Sequence, residues 1–315
     1  MKAGWSISAL TGAVAVGMIM LPALAPGDSD NQEKEIKPNG KGIGTLFNPG
    51  NGNGNDNGQA KGKPGSGGGS TSNGIDYHGG PLMTGTVNVY YIWYGDWAGN
   101  EATGILEDLA KNIAPSPYFN INTTYYNGAN VHVSNLVSFK GSTTDAYSHG
   151  MTLSDAAVQD VVKTNIGKFG TDVNGVYFVL TSADVTASSG FCTKYCGWHT
   201  FGTINGLHVK YSFVGDPTRC PSACMAQKIG PNGASGADGM ASIIAHELEE
   251  ATTDPELNAW YDSRGMENAD KCAWTFGATY AAKNGTMANM TLGLRDFLIQ
   301  QNWVNASGGF CAKSY

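Results

Sequence analysis

The chain has 315 residues, of which 41% are hydrophobic and only 14% are charged, and its formal net charge is −7. This acidic balance excludes a typical nucleic-acid-binding protein, because such a protein needs a concentrated basic surface to neutralise phosphates. The part of the sequence after the amino-terminal segment has no run of about 20 apolar residues, which excludes a protein with several membrane spans.

The first 25 residues are predicted to be a secretory signal peptide. Lys2 is followed by an apolar run that reaches Leu21, and Ala23–Ala25 offers the small residues at which signal peptides are cut. Pro26 stands directly after that bond, where proline is disfavoured, so cleavage at another bond and retention as an amino-terminal anchor are alternatives. In each case the chain is exported. We expect a secreted, extracellular protein with no stable membrane insertion after signal cleavage.

Residues 26–74 are predicted to be a disordered linker rich in glycine and asparagine, as in Asn48–Gly54. Such a segment buries too little apolar surface to offset the entropy cost of ordering it. One folded domain is therefore expected from residue 75 to residue 315.

The predicted elements of that domain alternate between strands and helices. Thr86–Tyr94 is rich in β-branched and aromatic residues on both alternating faces, which is typical of an interior strand covered on both sides. The other predicted elements are, in chain order, a helix at Glu101–Ile113, a strand at Val131–Phe139, a helix from Ser154 to Ile166, a strand at Val176–Thr181, an edge strand at His208–Val214, a helix at Gly239–Thr253 and a short helix at Leu294–Gln301. This order predicts the α/β (α+β) class. We expect a single mixed-sheet domain, with a zincin-like arrangement as one form of it, and a disulfide-pinned C-terminal region.

All six cysteines lie after residue 190. An even number of cysteines in an exported chain is typical of disulfide bonds. The pairs that we expect are Cys192–Cys196, Cys220–Cys224 and Cys272–Cys311. The alternative is a zinc site in which the two Cys-x-x-x-Cys units supply four thiolates. Sequons compatible with glycosylation begin at Asn122, Asn284, Asn289 and Asn305.

A chemically distinctive motif, His246-Glu247-Leu248-Glu249-Glu250, lies within the last long helix. At about 100° per residue, His246 and Glu250 lie one turn apart on the same face. The motif resembles the His-Glu-x-x-His pattern, which holds zinc through two histidines and uses the intervening glutamate as general base. Because a carboxylate oxygen is an accepted zinc ligand, we expect His246 and Glu250 to bind a metal ion and Glu247 to be the catalytic base.

A third metal ligand has to come from a later part of the chain. Glu267 follows the motif by 17 residues, a distance that suits a loop and its return, and it is the predicted third ligand. Asp270 is predicted to orient His246 through the other ring nitrogen. Asp254 and Glu256 are alternatives to Glu267. The expected cofactor is one zinc ion, and the added negative charge would also suit manganese or another oxygen-preferring ion.

Each functional interpretation has a structural alternative. The His246–Glu250 motif is also what an ordinary acidic, solvent-exposed helix face looks like. His199 could enter the same cleft, but we expect a structural histidine that is hydrogen-bonded beside a disulfide. The aromatic residues around the first predicted strand could form a platform for sugars, but aromatic residues in a strand pattern are expected in the core.

Eight blocks of sequence occur in an order that points to one family: Tyr77–Leu82, which leads into Val87–Gly95, Leu180–Thr186, Gly190–Cys192, Cys196–His199, Cys220–Cys224, Pro231–Gly233 and Gly236–Met240. Together they resemble the phosphate-induced protein 1 (EXORDIUM-like) family over residues 77–311. The resemblance implies a secreted protein associated with the cell wall. Plant members are linked to cell expansion and growth signalling, and their molecular activity is unsettled, so the resemblance indicates a compartment rather than a reaction.

Two functions from different classes follow from these observations. The first is an exported, zincin-like, metal-dependent hydrolase, most simply a peptidase, that uses Glu247 as base. The second is a non-catalytic extracellular protein that associates with the wall or with polysaccharide and acts in growth or surface interaction. The expected partner is an extracellular polymer, either protein or polysaccharide. No nucleic-acid partner is expected, and the sequence predicts no particular oligomeric state.

Overall fold

The computed structural model describes Met1, Lys37, Pro38, Lys41 and residues 72–315. The predicted signal peptide beyond Met1 and nearly all of the predicted linker lie outside the described residues, so both stay predictions. Within the described part, none of the helices combines the length and the apolar character that a membrane span needs.

Short and long strands alternate with four α-helices between residues 76 and 312. The strands are β1 (Asp76–Tyr77), β2 (Val87–Tyr94), β3 (Val137–Asp145), β4 (Thr152–Leu153), β5 (Gly175–Thr181), β6 (Thr186–Ala187), β7 (Gly197–Ile204), β8 (Leu207–Gly215), β9 (Trp260–Tyr261), β10 (Tyr280–Ala281), β11 (Met287–Ala288), β12 (Met290–Leu292), β13 (Arg295–Phe297), β14 (Asn302–Val304) and β15 (Phe310–Ala312). The helices are α1 (Ala102–Asn112), α2 (Asp155–Asn165), α3 (Pro221–Cys224) and α4 (Ser235–Thr253). Single 3₁₀ turns occur at Phe119–Thr124, Ile166–Lys168, Pro217–Arg219 and Asp270–Cys272.

A five-stranded sheet in the order β3-β2-β5-β8-β7 forms the centre of the domain. The first four of these strands pair in parallel, and β7 joins β8 in the antiparallel direction. Strand β5 is buried along its whole length, and β2 is buried except at Asn88, because helices or loops cover both faces of the sheet. The predicted class, a mixed α/β domain with a single main sheet, is confirmed.

The helices that cover the sheet begin and end close to their predicted bounds. In α1, Ile105, Leu106 and Leu109 recur at helical spacing and are buried. Helix α2 begins after Ser154, whose hydroxyl oxygen accepts a hydrogen bond from the backbone N–H of Ala157 at 3.1 Å. This contact satisfies one of the free N–H groups of the first turn, so the predicted cap is confirmed.

Two of the strand predictions need correction. Strand β3 occupies Val137–Asp145 instead of Val131–Phe139, because it is the outer strand of the sheet and its polar second half alternates between exposed and half-buried residues. The strand predicted at the edge, His208–Val214, corresponds to β8, which lies inside the sheet between β5 and β7.

The true edge strand on that side is β7, and the sequence prediction missed it. A two-residue turn at Asn205–Gly206 joins β7 to β8, with φ of 52° and 77° at the two turn residues. Both angles are positive, as the tight turns of twisted hairpins require. The helix predicted at Leu294–Gln301 is also wrong. Arg295–Phe297 forms β13, which pairs with β12 in another hairpin.

Three disulfides are present, and two of the expected pairs are wrong. Cys192 pairs with Cys220 and Cys196 pairs with Cys224, while Cys272–Cys311 is confirmed. Cys220 precedes the short helix α3 and Cys224 ends it, so the two side chains project in the same direction rather than toward each other. They therefore bond across to the loop before β7. All six cysteines are used, which rules out the four-thiolate zinc site.

Helix α4 is buried on all sides. One side packs against α1, β7 and β8, and the chain that follows the helix covers the rest. From that later chain, the Gln300 backbone N–H donates to Ser242 Oγ at 3.1 Å, and the Asn268 side chain donates to the Glu249 carbonyl at 3.3 Å. The solvent-exposed acidic face that stood as an alternative is therefore excluded, because Glu247, Glu249 and Glu250 are each at most 2% exposed.

Candidate metal centre

Strand β7 brings His199 against α4. Side chains alternate along a strand, so Gly197 and His199 face the same side, and both are buried. A Cβ atom at Gly197 would lie 2.5 Å from Ile243 Cγ2 and 3.1 Å from Glu247 Oε1. The absence of a side chain at position 197 therefore lets α4 approach the strand closely enough for the glutamates of the helix to reach His199.

Helix α4 and the chain after it supply the other polar groups. His246, Glu247 and Glu250 recur within little more than one helical turn and are each at most 3% exposed. The chain then returns across the helix, and the 3₁₀ turn that begins at Asp270 fixes the return. The Asp270 backbone N–H donates to Glu250 Oε1 at 3.0 Å. Glu267, three residues earlier, is fully buried beside the same helix.

These six side chains form one buried group, which we term the His/carboxylate cluster: His199, His246, Glu247, Glu250, Glu267 and Asp270. Two sets of three residues within it place one ligand atom each within 4.8 Å of the others. The His246 set contains His246, Glu250 and Asp270. The His199 set contains His199, Glu250 and Glu267. Glu250 belongs to both sets.

The distances suit metal ligation. In the His246 set, His246 Nε2 lies 3.0 Å from Glu250 Oε1 and 3.5 Å from Asp270 Oδ1. In the His199 set, Nδ1 of His199 lies 3.4 Å from Glu250 Oε2, and Nε2, on the other side of the ring, lies 3.5 Å from Glu267 Oε1. Ligand atoms around a tetrahedral zinc ion are about 3.3 Å apart, given the usual zinc–ligand bond lengths.

Many polar atoms of the His/carboxylate cluster have no hydrogen-bond partner. They are Nδ1 of His199, both ring nitrogens of His246, Oε2 of Glu247, both carboxylate oxygens of Glu267 and Oδ1 of Asp270. The ring N–H groups are therefore close to the carboxylates without pointing at them. Buried polar groups are nearly always paired, since an unpaired one costs roughly 1–3 kcal/mol. Unpaired ring nitrogens and carboxylate oxygens of this kind are groups that a cation could bind.

The charges of the cluster lead to the same interpretation. Its four carboxyl groups are buried beside two imidazoles, and no lysine or arginine among residues 72–315 forms an ion pair with them. Burial raises the pKa of Glu247 to about 7 and that of Asp270 to about 6. Burial also raises the pKa of Glu267, to well above its usual range. Without a cation, protons have to neutralise these groups.

Glu250 behaves differently from the other three acids. Burial raises its pKa, but His246 and His199 outweigh that effect and hold the pKa at about 2. The two imidazoles in turn have a pKa well above the usual value, because the surrounding carboxylates outweigh the effect of burial, which lowers it. Glu250 is thus an ionised carboxylate at the centre of the cluster, in contact with both histidines.

A small cavity gives access to one side of the cluster. It has a volume of about 10 Å³ and is lined by Cys196, Gly197, Ile243, His246, Glu247 and Gln300. This volume is close to what one water molecule needs. Glu247 and His246 are the polar side chains of the cluster that line it, so a water molecule here contacts the predicted base and a predicted ligand together.

The structure brings all the predicted site residues together but changes their grouping. His246 and Glu250 lie in one set, as the helix period requires. Glu267, predicted to complete that set, lies beside His199, and Asp270, predicted to orient His246, lies in the same set as His246 and Glu250. The reason is the direction in which the chain returns, since the 3₁₀ turn places Asp270 next to Glu250.

His199 is the member of the cluster that the sequence prediction assigned to a structural role. It lies near a disulfide, and its Nε2 is 3.4 Å from the Asp254 carbonyl oxygen, as expected of a hydrogen-bonded histidine. Its Nδ1, however, has no hydrogen-bond partner and faces Glu247 and Glu250 at 3.5 and 3.4 Å. The Asn205-Gly206 pair is the signal that could have found it, because this pair predicts a hairpin and therefore a strand that contains His199.

Asp254 and Glu256, the predicted alternatives to Glu267 as third ligand, make other contacts. Asp254 lies at the end of α4, and its Oδ1 accepts hydrogen bonds from the backbone N–H groups of Asn258 and Ala259, both at 2.6 Å. Glu256 lies outside the cluster and pairs with His208 at 2.8 Å. The aromatic residues Tyr90, Trp93, Tyr94 and Trp97 are at most 7% exposed, so they belong to the core as expected.

The fold and the site define a mixed α/β protein with a buried histidine–carboxylate centre. Comparison with known sequences identifies the family: the family model described as "Phosphate-induced protein 1 conserved region" matches residues 75–293. Two relatives from Arabidopsis thaliana are similar over most of their length. Protein EXORDIUM-like 5 is 32% identical over 271 residues, which are 72% of this chain and 74% of that protein. Protein EXORDIUM-like 3 is 30% identical over 268 residues, 72% of this chain and 79% of that protein.

Protein EXORDIUM from the same plant is 27% identical over 240 residues, 64% of this chain and 74% of that protein. The chain therefore belongs to the phosphate-induced protein 1 (EXORDIUM-like) family, and the resemblance of its sequence blocks is confirmed. No solved structure gives a significant match. The three disulfides are consistent with an extracellular protein.

Proposed function

We propose that this protein is a secreted, metal-dependent hydrolase that cuts peptide bonds, with a zinc ion held by His246, Glu250 and Asp270. The observation that carries the proposal is the convergence of His246 Nε2 on two carboxylate oxygens at 3.0 and 3.5 Å, without a hydrogen bond from that nitrogen. One imidazole and two carboxylates form an accepted donor set for zinc. Bound zinc would act as a Lewis acid that polarises the carbonyl group to be cut.

Glu247 is proposed as the general base. It lines the cavity next to His246, and a raised pKa of about 7 suits a group that both accepts and returns a proton at neutral pH. In the reaction, a water oxygen forms a bond to the carbonyl carbon while Glu247 takes the water proton. The carbon–nitrogen bond then breaks, and Glu247 gives the proton to the leaving amine. Water is the only co-reactant, so atoms and charge balance.

The position of β7 supports a peptide as the substrate. This strand is the outermost one of the sheet on the side of the cluster, and Cys196 and Gly197 at its beginning line the cavity. An extended peptide can pair with such an edge through main-chain hydrogen bonds. Export of the chain is proposed from the predicted signal peptide together with the three disulfides, which persist in oxidising compartments.

Two measurements on the secreted, full-length protein test the proposal. Metal analysis after purification without chelators is expected to find bound zinc, and the loaded protein is expected to cut an unstructured protein such as casein. Glu247→Gln should keep the metal and lose hydrolysis. The matched control is Glu249→Gln, a change of the same kind at an equally buried position of the same helix, which should keep both.

Protein that contains no metal, or a Glu247→Gln variant as active as the Glu249→Gln control, would contradict the hydrolase. The non-catalytic, wall-associated protein would then be the better explanation, with retention on insoluble wall polysaccharide as its own test.

A further inference from the structure

The His/carboxylate cluster has more donor atoms than one ion can use. An ion in the His246 set leaves Nδ1 of His199 and both oxygens of Glu267 without partners. These residues are buried completely, at 0% exposure. A single ion therefore accounts for half of the cluster and leaves the other half with the same unpaired groups.

The remaining atoms have a geometry of their own. His199 lies between two carboxylates, with Nδ1 at 3.4 Å from Glu250 Oε2 and Nε2 at 3.5 Å from Glu267 Oε1. One ring nitrogen, one oxygen of Glu250 and one oxygen of Glu267 lie within 4.8 Å of one another. The donors are again one imidazole and two carboxylates, the same types as in the His246 set.

Glu250 connects the two sets through different atoms. Its Oε1 faces His246, and its Oε2 faces His199. A carboxylate that directs its two oxygens to two separate histidines is suited to bridge two cations. The alternative, in which both oxygens bind one ion, would not use the atoms of the His199 set.

The charge of the cluster is also compatible with a second cation. With both imidazoles neutral, the ionised forms of Glu247, Glu250, Glu267 and Asp270 carry four negative charges. One divalent ion would leave two of these charges buried without compensation, and two divalent ions would balance all four. Buried charges that lack a partner are strongly destabilising.

We propose that the cluster holds two divalent cations of the zinc type, the second bound by His199, Glu250 and Glu267, with Glu250 as the bridge between them. This inference rests on the proposed function only for the first ion, in the His246 set. Two-metal sites in hydrolases hold their ions about 3.5–4 Å apart, each touching one oxygen of a shared ligand. The second ion fixes His199 and Glu267, which gives these residues a role that a single-ion hydrolase does not need.

The experiment counts and locates the ions in the full-length secreted protein, with Zn²⁺ as the probe. The chelator-treated protein is titrated with Zn²⁺, and the bound metal is measured after removal of excess. The expected result is two ions per chain. In crystals of the same material, anomalous scattering at the zinc edge is expected to give two peaks about 3.5–4 Å apart on either side of Glu250.

Variants separate the two ions. His199→Ala should bind one ion instead of two, and Asp270→Asn should weaken the other ion. His208→Ala is the matched control, because His208 lies on the neighbouring strand and is exposed, and this variant should still bind two ions. The anomalous map of the unaltered protein keeps the test valid if a variant fails to fold.

Each outcome decides the question. Two ions at adjacent positions support the proposal. One ion in the His246 set overturns it and leaves the proposed hydrolase standing, with His199 and Glu267 held together by a proton. A second ion at a distant surface position also overturns it. No bound zinc overturns both the two-ion centre and the proposed function.

Discussion

Glu249 and Glu250 are neighbours in α4 and are both at most 1% exposed, but they face different surroundings. Glu249 points away from the His/carboxylate cluster, where the Asn302 side chain donates to its Oε2 at 2.6 Å. Burial raises its pKa to well above the usual value, so it is a neutral acid among amides. Glu250 touches two imidazoles, which lower its pKa to about 2 despite the burial.

Burial alone therefore does not decide the charge of a glutamate. Amide groups can satisfy the hydrogen-bonding capacity of a neutral acid, as the Asn302 amide does in part for Glu249. Such an acid has a structural role. An ionised carboxylate that is held between two imidazoles is poised to exchange the imidazole protons for a cation. One residue of helix rotation, about 100°, separates a structural acid from a candidate metal ligand.

The largest effect is expected for Glu250→Gln. An amide bridges cations poorly, so zinc affinity should fall by more than the roughly 10–100-fold that is lost when a residue behind a ligand is changed. Glu249→Gln should leave zinc affinity unchanged, because glutamine replaces a neutral acid of the same shape. Zinc titration of both variants checks this. Equal affinities in the two variants would show that Glu250 is not a ligand.

A second prediction concerns the pH dependence of the metal-free protein. In the folded protein, burial raises the pKa of Glu247 to about 7 and that of Asp270 to about 6, from ordinary values of 4.5 and 3.8. The folded state therefore binds more protons in this range, so stability should be highest near pH 4.5 and should fall as the pH rises to 7. The loss is on the order of a few kcal/mol, since one pKa unit corresponds to about 1.4 kcal/mol.

Urea unfolding of chelator-treated protein at pH 5 and pH 8 measures the effect of pH. Saturating zinc should reverse the trend, because metal binding releases these protons and strengthens as the pH rises. Glu249→Gln should reduce the loss of stability above neutral pH, because glutamine cannot ionise. A metal-free protein with equal stability at both pH values would contradict the assignment of neutral acids.

Gly197→Ala is expected to destabilise the protein by about 1–3 kcal/mol, the usual cost of overpacking. The new methyl group would collide with Ile243 and press on Glu247, so hydrolysis should fall as well. Gly104→Ala is the matched control, because a Cβ atom there meets nothing within 4 Å and alanine favours the helix. Urea unfolding of the two variants gives the comparison. A Gly197→Ala variant as stable as the control would show that the close packing of β7 on α4 is not needed.

The smallest effect on the candidate site is expected for a change on the structural side of the helix. Asn302→Ala removes the amide that donates to Glu249 Oε2 and should cost about 1–3 kcal/mol, because a buried carboxyl group loses a partner. Zinc affinity should stay at the wild-type value, since Asn302 does not contact the cluster. Unfolding and zinc titration of the same sample check both parts. Loss of zinc in this variant would mean that the two sides of α4 are not independent.

The sequence predicted the elements with strong periodic patterns. The strand at Val87–Tyr94 and the helix after Ser154 are close to their predicted bounds, because their apolar residues and cap follow local rules. The edge strand β7 was missed, because it mixes glycine and polar residues. The predicted helix at Leu294–Gln301 is wrong, because the turn at Gly293, with φ of 61°, joins β12 and β13 into a hairpin.

The part of the candidate site that lies on helix α4 could be predicted from the sequence. The spacing of His246 and Glu250 follows from 3.6 residues per turn and needs no tertiary structure. The third residue of the His246 set depends on how the chain returns across α4. Asp270 lies in that set and Glu267 lies in the other, whereas the sequence predicted the reverse grouping. The roles expected of both residues stay predictions. The pairing of Cys192 and Cys196 was likewise decided by where α3 lies, which no spacing rule contains.

What the sequence determined by itself is local: the family, the mixed α/β class and the helix that carries His246, Glu247 and Glu250. These features can be read from the sequence because backbone hydrogen bonding and apolar periodicity act over a few residues and leave a pattern in the chain. Tertiary structure alone decided that His199 joins this helix, that Glu250 lies between two imidazoles and that Glu249 is a neutral acid. Those facts depend on contacts between residues up to 68 positions apart, from His199 to Glu267, and the energies that fix them arise only when burial removes water.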